Sequence, residues 1–165
     1  MTTEHALGTH TREHAPPPRG WWRVKIAAGA ALIALLVAHF VFGLMPVEVA
    51  FPRETAQAIA VLGGLFTVWH HRILSTAVTS NCPTRLVSTG GCYPFIRHPM
   101  YLGDMVLYVG LALLAPGAIT AALAALGCAA LYLQARAEDR HLERQFGEPF
   151  MRWQQSSGLL LPGLG

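Results

Sequence analysis

Apolar residues in this chain cluster into long runs separated by short polar stretches. The first run, Ile26 to Met45, carries no acidic or basic group apart from His39. Its length matches the ~20 residues needed to cross a hydrocarbon core of ~30 Å. A second run goes from Thr55 to Trp69 and continues toward His70-His71-Arg72. A third, Met100 to Ala115, ends at Pro116-Gly117, and a fourth, Ala118 to Leu133, follows at once. Pro116-Gly117 predicts a tight turn joining an antiparallel helix pair. The last two runs are short for spans, so they must stand nearly upright or extend a turn into the interface. Small residues from Ala121 to Gly127 allow close backbone approach in lipid. The pattern predicts an all-α integral membrane bundle of about four transmembrane helices, at about 24–45, 55–73, 99–115 and 118–135. A cleaved signal peptide is the alternative for the first run, because Arg23 and Lys25 precede it. Against this, the run is long, and Leu44-Met45-Pro46-Val47 is not a small-residue cleavage site.

Composition agrees: 53% of residues are apolar and 13% are charged, about half the ~25% charged share of a soluble domain. The charges then orient the bundle. Of the 12 Lys and Arg residues, Arg12, Arg19, Arg23 and Lys25 precede the first span, and Arg72, Arg85 and Arg97 lie between the second and third. Arg136, Arg140, Arg144 and Arg152 follow the fourth, which leaves Arg53 alone on the other side. The positive-inside bias puts both termini and the 72–99 loop in the cytoplasm. The net charge of +3 is a topology signal that calls for no nucleic-acid partner. Residues 1–22, with His5, His10, His14 and Pro16-Pro17-Pro18, read as a disordered cytoplasmic tail more readily than as a metal site. Residues 23–165 form the single domain. Cys82, Cys92 and Cys128 make no close metal-type pair, and no disulfide framework is expected.

Two polar groups face the cytoplasm. Gly91-Cys92-Tyr93-Pro94-Phe95-Ile96-Arg97-His98-Pro99-Met100-Tyr101-Leu102-Gly103 leads into the third span. Pro99 suits a first helical position, since its missing N–H is no loss there. The helix start beside Arg97 and His98 is either a site for a carboxylate or phosphate, or an ordinary Pro-started helix with Arg97 at the lipid headgroups. The second group runs from Glu138-Asp139 to Trp153. Leu142, Phe146 and Phe150 recur every four residues, as in a C-terminal cytoplasmic interfacial helix, and Gly147 and Pro149 are expected to break it. Carboxylates where a span leaves the bilayer call for a cationic partner: Arg97, Arg136, Arg140 or a bound cation.

Together these groups resemble the membrane methyltransferases that include isoprenylcysteine carboxyl methyltransferase and the phospholipid N-methyltransferases. The Arg-His-Pro-x-Tyr-x-Gly segment of that family is matched by Arg97 to Gly103. A hairpin follows, then an acidic segment whose first five defined places are taken by Glu138, Asp139, Leu142, Phe146 and Gly147. Leu86-Val87 and Gly91-x-Tyr93 are also similar, so the likeness runs from about Leu86 to Trp153. The resemblance implies S-adenosylmethionine as cofactor, held by Leu86, Val87, Tyr93, His98, Pro99, Met100, Tyr101 and Glu138. It makes Arg97, Arg136 and Asp139 the candidates for the catalytic side, and a lipid or lipophilic molecule taken from the bilayer the acceptor. Glu138 suits the cofactor's ammonium, and aromatic faces attract its sulfonium.

The departures concern the acceptor. Asp139, Phe150 and Trp153 replace a Glu and two Tyr. Members that methylate a prenylcysteine carboxylate place an Arg one turn before the first Glu, where this chain has Gln134. Amine, thiol or neutral acceptors are therefore expected to be preferred, unless Arg136 supplies the clamp. The sterol reductases resemble the same fold with a nicotinamide cofactor but are much longer. A non-catalytic bundle is the remaining alternative.

Overall fold

A computed structural model describes residues 20–44, 51–77 and 90–164. Helix α1 is Gly20–Phe42 and α2 is Arg53–Ala77. Helix α3 (Pro99–Leu113), α4 (Ala118–Phe146) and the short α5 (Glu148–Ser156) follow. Among the described residues there is no strand, and the irregular pairing is limited to isolated bridges, Ile96 with Gly158 and Leu161 with Leu164. The architecture is all-α. Helices α2 and α3 pack along most of their length, α1 packs along α4, and α3 joins the two pairs by its contact with α4.

The α2–α3 seam follows from small residues. Ala56, Ala60, Gly63 and His70 are the buried positions of α2, and their spacing puts them on one stripe. Gly103 and Gly110 of α3 face that stripe: a methyl added to either would collide with Thr67 or with the backbone of Ala60. At Gly103 the missing side chain is thus what lets the neighbouring helix approach.

Two helices, Gly20–Phe42 and Ala118–Phe146, have the length and apolarity to cross a membrane, and Pro99–Leu113 is apolar but shorter. Helix α1 buries Ala28, Leu32 and Leu36, yet Ile26, Ile33, Val37, Phe40 and Val41 point outward. Helix α2 likewise exposes Val61, Leu62, Leu65 and Val68. Contiguous outward apolar faces of this kind require an apolar surrounding or a partner.

Two boundaries differ from the pattern. Residues 20–22, expected in the tail, are already helical. Helix α4 does not stop near 135 but runs as one 29-residue element to Phe146, because Gln134 to Phe146 contains no Gly or Pro to end it. The break comes at Gly147, whose φ is 59°, a left-handed value that glycine adopts at little cost. Its N–H closes the helix on the Glu143 carbonyl at 2.8 Å. Pro149 then sits in the first turn of α5, where a missing N–H does no harm.

Helix α5 folds back rather than lying apart. Phe150 and Trp153 join Tyr93 in a small second core with Ile73, Leu74, Leu142 and Phe146 around it. The Trp153 indole N–H donates to the Tyr93 carbonyl at 3.1 Å. The tail residues, His5, His10 and His14 among them, and the segment holding Cys82, Leu86 and Val87 lie outside the described residues.

Candidate active site

The start of α3 and the middle of α4 meet where Arg97-His98 faces Glu138-Asp139. Arg97 is sealed, with its side chain 2% exposed. Its Nε donates to Asp139 Oδ2 at 2.9 Å, and Nη1 donates to the carbonyls of Gln154 (3.0 Å) and Ser157. Backbone bonds reinforce the same contact: the Arg97 N–H donates to Gly158 at 2.9 Å and the His98 N–H to Leu159 at 3.1 Å. The segment after α5 therefore covers the α3 N-terminus. Pro99 takes the first helical position as its sequence predicts and is fully buried.

His98 is held between the two carboxylates. Its Nε2 lies 2.8 Å from Asp139 Oδ1; a carboxylate only accepts, so that nitrogen carries the proton. Its Nδ1 lies 3.7 Å from Glu138 Oε2, beyond hydrogen-bond length. The ring stacks parallel to that of Tyr101, with centroids 5.4 Å apart.

Glu138 differs from its neighbour. Its side chain is 25% exposed. Oε1 accepts from the Tyr101 hydroxyl at 2.6 Å and from Gln134 Nε2 at 2.8 Å. Gln134, one turn earlier, is buried, and its Oε1 accepts from the Trp22 N–H at 3.1 Å. That amide lies in the first turn of α1, so Gln134 caps one helix and orients the carboxylate of another. A side chain so committed is not a spare clamp.

The structure thus brings Tyr101, His98, Pro99, Glu138, Asp139 and Arg97 together. Tyr93 lies behind them in the second core, where its hydroxyl donates to the His70 carbonyl at 3.4 Å. Burial pushes that phenol up to about 12, so it stays neutral across the physiological range. The Met100 carbonyl accepts from Thr67 Oγ1 at 3.2 Å. Arg136 stands apart, exposed on another face of α4, with Nη1 3.3 Å from the Tyr132 hydroxyl. Two residues of helix advance ~200°, which turns it away from Gln134.

Sequence reasoning missed three further partners. Lys25 Nζ sits 2.8 Å from Asp104 Oδ2, and Thr67 Oγ1 donates to Asp104 Oδ1 at 3.0 Å. Lys25 also stands over the Tyr101 ring, 5.2 Å from its centroid. The signal was present as an acidic residue inside the apolar run 100–115, a place where a charge calls for a partner. His70 was missed as well. It is fully buried, with Nδ1 2.9 Å from the Phe66 carbonyl and Nε2 accepting from the Cys92 N–H at 3.2 Å. That pair of roles makes it a neutral Nδ1–H tautomer tying α2 to the 90–98 segment.

A family model described as phospholipid methyltransferase matches residues 53–149. The chain belongs to this family. The match spans α2, the first polar group, the hairpin, and the second polar group as far as Pro149. A relative in Alcaligenes xylosoxydans xylosoxydans, named nickel-cobalt-cadmium resistance protein NccN, is 30% identical over 130 residues. The alignment covers 78% of this chain and 57% of that protein, so the chain spans little more than half the relative's length. No solved structure gives a significant match. Among the described residues, no three or more His, Cys, Asp or Glu side chains group as they would to hold a metal ion.

Proposed function

We propose that this protein transfers a methyl group from S-adenosylmethionine to a lipid-soluble acceptor at the cytoplasmic face of a membrane that α1 to α4 cross. The observation that carries this reading is Glu138. Its carboxylate is partly open and oriented by Tyr101 and Gln134, beside the stacked His98 and Tyr101 rings. Membership of a methyltransferase family supports it independently.

The residues fit the cofactor chemically. Glu138 would hold its ammonium through a charge-assisted hydrogen bond, and the aromatic faces beside it favour a sulfonium. When bound, S-adenosylmethionine supplies an electrophilic methyl carbon, which an acceptor lone pair takes while the carbon–sulfur bonding pair stays on sulfur. The chain's own task is to orient the reactants and keep water away. Arg97 and Asp139 act at one remove, as positioning residues: Asp139 fixes the proton of His98 on Nε2, and Arg97 fixes Asp139. Tyr93, Pro99 and Met100 shape the wall behind, and Leu86 and Val87 belong to the same pocket by resemblance. Arg136 has no role here. Because Gln134 is occupied and Arg136 faces elsewhere, amine or neutral acceptors are methylated better than a prenylcysteine carboxylate.

The test is titration of the detergent-purified protein with S-adenosylmethionine and, separately, with NADPH. Binding of the first and not the second is expected. NADPH binding alone would overturn the reading, and so would no binding of either by a folded protein.

A further inference from the structure

His70 is a buried ionisable group that methyl transfer as described above leaves without a task. It lies near the end of α2, is fully buried, and has both ring nitrogens engaged. Nδ1 lies 2.9 Å from the Phe66 carbonyl, and Nε2 accepts from the Cys92 N–H at 3.2 Å. Gly91 permits this approach: its φ is +65°, and a methyl there would lie 2.7 Å from Ile73 Cδ1 and 3.2 Å from His70 Nε2. From Cys92 the contact passes to the site. The Cys92 carbonyl accepts from the N–H groups of Phe95 (2.9 Å) and Ile96 (2.8 Å), which sets the turn that delivers Arg97 and His98. Tyr93, placed in the wall of the cofactor pocket, donates its hydroxyl to the His70 carbonyl.

We propose that His70 is a positioning residue for the cofactor site and that its charge state decides whether the site is formed. The uncharged ring holds the 90–98 segment on α2, and the protonated ring releases it. The reason is the count of donors. A neutral imidazole offers one donor and one acceptor, as the Phe66 carbonyl and the Cys92 N–H require; an imidazolium offers two donors, one of them facing the Cys92 N–H. The ring is packed by Phe66, Trp69 and Tyr93. Among the described residues, no carboxylate forms an ion pair with it. The titratable and charged groups around it are Cys92 and Tyr93 of the facing segment, His71 and Arg72 next on α2, and Asp104 of α3. Asp104 meets Thr67 one turn earlier and is already paired with Lys25. Helices α4 and α5 bring the uncharged Leu142, Phe146, Phe150 and Trp153 to the adjoining core. The consequence for cofactor affinity rests on the methyl-transfer reading, but the release of the segment does not.

Both are measured on the full chain in detergent. Hydrogen exchange across residues 91–98, without cofactor, compares the wild type with His70→Gln at about pH 8 and about pH 5, the interval in which imidazoles change charge. The Gln amide oxygen gives the Cys92 N–H an acceptor that does not titrate, and comparison at one pH removes the intrinsic pH dependence of exchange. Equal protection is expected at the higher pH. At the lower, the wild type should be about tenfold less protected than the variant, the scale of one lost hydrogen bond. Calorimetry with S-adenosylmethionine should follow the same pattern, the wild type losing about tenfold more affinity than the variant as pH falls. Any titration of His98 or of the cofactor's amine is common to both proteins, so the difference between them belongs to His70. Gly91→Ala, which drives the segment off the ring without changing an ionisable group, should exchange fast and bind weakly at both pH values. Matching exchange in the wild type and His70→Gln at both pH values would overturn the proposal, as would wild-type protection in Gly91→Ala. Segment release at the lower pH with no cofactor binding at either would defeat methyl transfer alone. Cofactor binding with one pH profile in both proteins would defeat the role of His70 alone.

Discussion

Glu138 and Asp139 are neighbours on one helix, yet they serve two different regions. Asp139 points into a sealed knot with Arg97, where the side chains are 7% and 2% exposed and backbone carbonyls from the α5 end accept from the guanidinium Nη1. Glu138, turned ~100° around the helix, meets Tyr101 and Gln134 and is 25% exposed. Both carboxylates are hydrogen-bonded, but one is closed to any ligand and the other is oriented and left partly open. Hydrogen bonding alone therefore does not distinguish the two carboxylates; the remaining access does.

The comparison can be broken most directly at the knot. Arg97→Ala leaves Asp139 buried without its guanidinium, and breaking such a pair by removing one member costs about 3–5 kcal/mol. Thermal unfolding in detergent should show a large loss, with little protein recovered. A variant that folds normally but loses cofactor affinity would move Arg97 into the binding site. Glu138 should respond in the opposite sense. Glu138→Gln is expected to keep the melting temperature within a degree or two of the wild type and to lose about 1.5–3 kcal/mol of cofactor affinity, the worth of a charge-assisted hydrogen bond. Calorimetry with S-adenosylmethionine decides it, and unchanged affinity would make Glu138 no more than a structural partner of Tyr101. Gln134→Ala sits between the two, since it removes the Trp22 cap and a donor to Glu138. A loss of about 1 kcal/mol in stability is expected, with a smaller drop in affinity, read by unfolding and calorimetry on the same sample. The smallest effect belongs to Arg136→Ala, an exposed residue outside the cluster, which should stay within about 0.5 kcal/mol. A change of acceptor preference in that variant, in a competition between a prenylcysteine analogue and an amine lipid, would show that the clamp has moved to Arg136.

Much of the site was legible in the residues. The Arg97 to Gly103 segment and the Glu138-Asp139 pair identified the family, and their pairing across a helical hairpin followed from Pro116-Gly117. Pro99 at the helix start and Gly147 at the break were readable because each acts through its own backbone: a missing N–H in one case, a positive φ in the other. Less legible was which cation meets which carboxylate. Arg97, Arg136 and Arg140 were all candidates, although Arg97 lies 42 positions from Asp139, and only packing selected Arg97.

Local chemistry, then, decided the elements of this protein: apolar runs and glycine and proline punctuation are properties of short stretches, and a chain read in order contains them. Tertiary structure alone decided the partners. Lys25 and Asp104 are 79 positions apart, and Trp22 and Gln134 are 112 apart, so no periodicity links them. Their meeting depends on how α1 lies against α3 and α4, which side-chain volumes along the whole helix faces settle together. The same packing made a helix cap of Gln134, the residue standing where some relatives carry a substrate-holding Arg, and sealed one of two adjacent carboxylates while leaving the other within reach.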